Sequence, residues 1–312
     1  MTMLSRVAER LYWTTRYLER AEDTARLIAA YNHLIMDLPR GNEPGWDILV
    51  RILDAEAQFY TRFRVPSEQN VLRFLIADGD SPSSIPHALR WARENVRTTR
   101  DVLPEDTWEL VNELHLYAEE AAERSVGRRQ RQQYLEEVVN RCQLINGLLA
   151  STLPRDHAYR FLKLGQLLER CDMTTRLIDV GVRELLGRDP HSLALQPPLW
   201  SALLQSLSAL GAYRRMIAPV VDAEQAITFV FREPCLPRSV DFCLRGIREE
   251  IRPLHEPQAA LAVVERARRK LARLNVEQMS PTQLQRYIDQ FQGLLGELHA
   301  ALSETWFRVR PQ

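Results

Sequence analysis

Apolar residues spaced three and four apart recur along almost the whole of this 312-residue chain, and alternating apolar and polar stretches are nearly absent. That spacing gathers apolar side chains into one stripe only if the segment is an α-helix. The chain is therefore confined to an all-α fold in which each helix buries its stripe against others. The pattern predicts helices over residues 3–36, 46–62, 67–77, 85–101, 106–125, 129–150, 157–186, 197–217, 223–231, 238–252, 258–275 and 281–303. The joints LPRGNEPG, DGDSPSS, LGRDPHS and REPCLP carry turn residues. Ser84 and Ser239 stand at N-cap positions, and Pro86 lies in a first helical turn, where its missing N–H costs little.

The chain also repeats itself in order. LERAEDTARLI, from Leu18, is echoed by LERCDMTTRLI, from Leu168, at an offset of 150. Trp46 and Trp200 follow at an offset of 154, then LRWARENVR from Leu89 and LRGIREEIR from Leu244 at 155. Pro82 and Ser84 meet Pro237 and Ser239 at that last offset. Convergence of single helices would not keep landmarks in order, so the pattern reads as an internal duplication of a multi-helix unit. The expected architecture is a compact multi-helix bundle with pseudo-twofold symmetry, its halves at 1–150 and 151–312 packed as one body.

Helical geometry sorts the repeated residues into faces. At about 100° per residue, Leu18, Ala21, Ala25 and Ile28 form an apolar stripe, Glu19, Glu22 and Arg26 a separate polar strip, and Arg20 and Thr24 the opposite flank. Glu169, Asp172 and Arg176 take the same strip in the second copy, with Arg170 and Thr174 on its flank. Glu22 to Arg26 and Asp172 to Arg176 are i,i+4 ion pairs, and Arg26 and Arg176 are expected to be the more exposed arginines. The second repeated helix lines Arg90, Arg93 and Arg97 along one edge, and Arg245, Arg248 and Arg252 repeat it. Such edges are either solvated faces or cation clusters facing carboxylate or phosphate. Trp13 and Tyr17 beside the first motif, with Asp23 inside it, are candidates to line a ligand pocket, ordinary aromatic packing being the competing reading.

Composition excludes more than it assigns. Lys+Arg and Asp+Glu both number 41, so bulk charge argues for neither nucleic acid nor an anionic membrane. Lysine occurs only at Lys163 and Lys270, so nearly every cation is a guanidinium suited to bidentate contacts. No run approaches the roughly 20 apolar residues of a membrane span, and the N-terminus lacks the features of a secretory signal. A cytoplasmic protein is expected, with Cys142, Cys171, Cys235 and Cys243 as free thiols. The histidines match no metal or nucleophile motif, and neither Glu19 nor Glu169 has the Glu-x-x-His partner of a di-metal bundle. No metal and no cofactor are expected.

The stretches YLERAEDTARLI and LLERCDMTTRLI carry a resemblance to the alpha-E domain family, bacterial all-helical proteins named for a Glu-Arg motif, over nearly the full chain. The resemblance implies partners: circularly permuted ATP-grasp-like ligases and transglutaminase-like proteins, in systems suggested to make, modify or process peptides. It places the motif on Glu19 and Arg20, with Glu169 and Arg170 as its echo.

Three functions follow as expectations. The first is an accessory or scaffold protein that binds such a ligase or its peptide substrate. The second is an enzyme in which Glu19 or Glu169 moves a proton while Arg20, Arg170 or the arginine edges bind an anionic group. The third and weakest is nucleic-acid binding through Arg128-Arg129-x-Arg131 and Arg266-x-Arg268-Arg269-Lys270.

Overall fold

A single long helix, α1 (Ser5–Asp37), organises the molecule. Helices that pack on one side show a polar face; α1 buries residues all round, including Thr14, Thr15, Arg16, Glu19, Glu22, Asp23 and Thr24. The computed structural model describes residues 3–38, 44–183 and 196–308, and no strand occurs among them. After α1 come α2 (Asp47–Ile52), α3 (Glu56–Arg62), α4 (Glu68–Leu72), α5 (Ile85–Arg97), α6 (Asp106–Ser125) and α7 (Arg128–Thr152). Then follow α8 (His157–Gly181), α9 (Gln196–Ser206), α10 (Leu210–Met216), α11 (Ala223–Arg232), α12 (Val240–Ile251), α13 (Gln258–Ala272) and α14 (Pro281–Leu302).

The packing is built on the seam between α1 and α8. Helix α1 also packs on α5 and α7, with α6 between them, and α8 packs on α12 and α14, with α13 between them. Buried side chains from either side of residue 150 join in one continuous core, from Leu11, Leu18 and Ile28 to Trp200, Phe231 and Phe291. The Ser84 and Ser239 hydroxyls cap α5 and α12 by accepting from the His87 and Phe242 amides, and Ser280 with Gln283 forms a capping box on α14.

Several helices differ from the periodicity in the same way. The helix expected over 46–62 is two, α2 and α3, and that over 197–217 is α9 and α10. Each breaks at a residue in the left-handed region, Asp54 at φ 53° and Ser208 at φ 54°, 154 positions apart. Left-handed backbone ends a right-handed helix, and apolar spacing alone does not register it. The helix expected over 85–101 stops at Arg97 before a 3₁₀ turn, Arg100–Val102. Helix α4 passes into a π turn, Arg73–Ala77, and α14 into another, Ser303–Phe307. Residues 184–186 of the helix expected over 157–186 lie outside the described residues.

At the seam the two backbones come very close. A Cβ added to Gly165 would overlap the Tyr12 carbonyl oxygen and crowd the Thr15 hydroxyl, which donates to the Leu162 carbonyl at 2.6 Å. Gly165→Ala is expected to cost about 2–3 kcal/mol in urea unfolding, the upper part of the range for overpacking. Gly147→Ala, at an exposed α7 position with open space around it, is expected to stabilise by about 0.5–1 kcal/mol through helix propensity. Equal effects of the two substitutions would remove the case for a tight seam.

Candidate functional site

The two Glu-Arg motifs meet face to face across the seam, and they pair crosswise. Arg170 Nε donates to Glu19 Oε1 at 2.7 Å, and Arg20 Nε donates to Glu169 Oε1 at 2.7 Å. Neither glutamate pairs with the arginine next to it in sequence. A helix points residues i and i+1 about 100° apart, so the glutamate turns inward while its neighbour reaches around to the partner helix.

Each glutamate then receives a second guanidinium, from unrelated places. Glu169 Oε2 accepts from Arg16 Nε at 2.5 Å, one turn before Arg20. Arg16 also donates to the Tyr12 hydroxyl at 3.2 Å, and that hydroxyl is 2.8 Å from His299 Nδ1. On the other side Arg238, just ahead of α12, reaches Glu19 at 2.8 Å, Glu22 at 2.9 Å and Asp23 at 2.5 Å. Arg16 and Arg238 were absent from the residues singled out by sequence. The available signals were the i,i+4 spacing of Arg16 and Arg20, and the mismatch of Ser83 with Arg238 inside the otherwise repeated Pro-x-Ser.

Burial sets the electrostatics. It would raise the Glu169 carboxyl, but Arg16 and Arg20 outweigh it and hold the group down at about 2. For Glu19 burial is again outweighed, by Arg238 and Arg170, and the group is lowered. Asp23 goes the other way: burial, with Glu19 and Glu22 adding to it against Arg238, pushes it up to about 8. Three carboxylates around one guanidinium do not all ionise readily, and the upward shift falls on Asp23. Glu19 Oε2, Glu22 Oε2, Asp23 Oδ2 and Thr24 Oγ1 are buried with no hydrogen-bond partner among the described residues.

The expected greater exposure of Arg26 and Arg176 holds in the second motif, where Arg176 is more exposed than Arg170, and fails in the first, where Arg20 is the more exposed. Arg26 pairs with Glu22 at 2.8 Å and Arg176 with Asp172 at 3.0 Å, as their spacing expects, but their side chains are only 16% and 30% exposed. The strip is half-buried because helices flank it on both sides. Trp13 and Tyr17 stack at 5.4 Å, with Arg16 5.1 Å above Trp13 and Arg20 5.7 Å above Tyr17. They brace the paired arginines.

The arginine edges of α5 and α12 do not join this cluster. Arg93 and Arg97 bind Glu94, with Arg93 also on Asn112, and Arg90 contacts His87. Arg245 pairs with Asp241, Arg248 with Glu265 and Arg252 with Glu249. Within the basic runs Arg128 and Arg131 share Glu68, Arg266 pairs with Glu297 and Arg268 with Glu265, while Lys270 bonds the Gln290 amide oxygen.

Among the described residues, no group of three or more His, Cys, Asp or Glu is placed to hold a metal ion. No described helix is long and apolar enough to cross a membrane. Cys142, Cys171, Cys235 and Cys243 are free thiols. Two polar clefts border the cluster. One of about 180 Å³ is lined by Arg20, Glu169, Asp172, Arg176, Asp54 and Ser83. The other, about 240 Å³, is lined by Arg170, Glu22, Arg26, Arg238, Gln143 and Asn146.

Comparison with known families gives one match, over residues 3–307: Alpha-E, described as a predicted alpha-helical domain with a conserved ER motif. The chain belongs to the Alpha-E family. No curated protein and no solved structure matched. Among the Glu-Arg dipeptides of this Alpha-E chain, those at 19–20 and 169–170 are the two whose side chains cross the α1–α8 seam.

Two titrations separate the halves of the Alpha-E cluster. Glu169 is depressed on folding, so its stabilisation is present above its ordinary range and is lost as pH falls from about 4.5 towards about 2. Glu169→Gln should cost about 3 kcal/mol at neutral pH, because it strands buried Arg16 and leaves half-buried Arg20 without its carboxylate, and should flatten the acid decline. Asp23 is raised, so its contribution is present below pH 3.8 and is lost as pH rises through about 8. Asp23→Asn should therefore gain stability relative to the parent between pH 5 and pH 8, read from urea midpoints; a parallel pair of curves contradicts this assignment.

Proposed function

We propose that this Alpha-E chain is an accessory or scaffold component of a peptide-synthesis or peptide-modification system, working on a circularly permuted ATP-grasp-like ligase or its peptide substrate. The observation that favours this reading is the engagement of both motif glutamates: each lies in the helix seam with two guanidiniums on it. A carboxylate held below its ordinary range is a weak proton acceptor near neutrality. The class of partner comes from the family resemblance, with a transglutaminase-like protein as the second candidate. Nucleic acid is disfavoured because four arginines of the basic runs, Arg128, Arg131, Arg266 and Arg268, are already engaged by acids.

Co-purification with the ligase, followed by ligase assays with and without this chain, tests the reading. The expected result is a complex that alters ligase turnover, retained by Glu169→Gln at a temperature where that variant is folded. Absence of both complex and effect contradicts it. So does a folded Glu169→Gln variant that keeps the complex and abolishes turnover, which is the signature of a catalytic glutamate.

A further inference from the structure

The two clefts occupy corresponding places on opposite sides of the crossed ion pairs, yet the charged residues that line them differ. Arg20 and Arg176 in the first correspond to Arg170 and Arg26 in the second at the offset of 150, and Asp172 corresponds to Glu22. The difference comes from two substitutions and one change of position in the wall. Ser83 in the first cleft stands where the second has Arg238; Asp54 in the first stands where the second has Ser208; and Glu169 lines the first while Glu19 is screened from the second behind Arg238. The first wall therefore presents two guanidiniums against three carboxylates, and the second presents three guanidiniums against one.

The second cleft also has donors to spare. Arg170 uses Nε on Glu19, and its two Nη groups have no acceptor among the described residues. Arg26 engages Glu22 through Nε and Nη2, leaving Nη1. The side-chain amides of Gln143 and Asn146 on α7, and the hydroxyl of Ser208 at the left-handed break between α9 and α10, line the same space without a hydrogen-bond partner of their own among the described residues. Arg170, at 15% exposure, and Arg238, at 7%, are held in place by buried carboxylates, so the wall is organised before any ligand arrives. Desolvated, preorganised guanidiniums with unpaired N–H groups are what a compact oxyanion binds to.

We propose that the cleft between α7, α8 and the Leu236–Arg238 segment binds a phosphoryl dianion, held by Arg170 and Arg26 with the Gln143 and Asn146 amides and Ser208. Arg26, Arg170 and Arg238 outnumber the Glu19 and Glu22 carboxylates that engage them, which leaves the wall cationic, and the dianion's three terminal oxygens use more donors than the two of a carboxylate. The space, about 240 Å³, admits free phosphate or a small phosphate monoester. The corresponding cleft beside Glu169 does not bind it, because its guanidiniums are already engaged, Arg20 by Glu169 and Arg176 by Asp54 and Asp172. This site holds whether or not the chain docks on a ligase.

Calorimetric titration of the full-length chain with inorganic phosphate, glycerol phosphate and acetate at constant ionic strength is the test. Both phosphate compounds are expected to bind, acetate about tenfold more weakly or worse, and the tighter of the two phosphates identifies free ion or monoester. Asn146→Asp and, independently, Gln143→Glu place a carboxylate in the wall outside the ion-pair cluster; each is expected to weaken phosphate binding about tenfold or more, while Ser83→Asp in the other cleft leaves it unchanged. Failure of phosphate to bind at millimolar concentration overturns the proposal. So does acetate binding as tightly as phosphate, indifference to both α7 substitutions, or equal weakening by Ser83→Asp.

Discussion

Two buried carboxylates, Glu19 and Glu169, sit in the seam between the two central helices, and the rest of the molecule is arranged to keep them ionised. A lone carboxylate at that depth would be expensive. Each therefore draws one guanidinium from the opposite helix and a second from elsewhere, Arg16 for Glu169 and Arg238 for Glu19. The crossing ties α1 to α8 at two points, which sets both the register and the direction of the seam. Sliding either helix by one residue would break both bonds together. Buried ion pairs contribute little net stability over well-packed apolar residues, so their use here is better understood as specification of one packing among many helical alternatives.

The second guanidiniums give the two sides different characters. Arg16 lies within α1, backed by Tyr12 and His299, and saturates Glu169. Arg238 comes from the approach to α12 and is shared among three acids, with the upward shift on Asp23 and several carboxylate oxygens without partners. One side is a closed, charge-matched lock. The other combines a shared guanidinium with a cleft lined by more guanidiniums than carboxylates, and that difference lies outside the motif the two sides share.

The helical class, most helix bounds and the caps at Ser84 and Ser239 were legible because they depend on local spacing and on hydroxyls at helix starts. The breaks at Asp54 and Ser208 were not, since a single left-handed residue leaves the apolar spacing intact. The wheel placed Glu19, Glu22 and Arg26 on one strip correctly but took a polar strip as a sign of relative exposure. A helix with neighbours on every side buries its polar strip too, provided charges meet. Arg20 and Arg170 were singled out as motif members; their partners were hidden because a cross-helix contact between residues about 150 apart leaves no trace in one-dimensional spacing. Arg238 was least legible of all, being a difference between two similar stretches where attention falls on what they share.

Double-mutant cycles across the seam test the central claim directly. If the motifs hold the helices by crossing, Glu19 with Arg170 and Glu169 with Arg20 should each show a coupling energy of about 1.5 kcal/mol or more, while the sequence neighbours Glu19 and Arg20 couple by less than about 0.5 kcal/mol. Strong coupling between the neighbours, or none across the seam, would contradict the account.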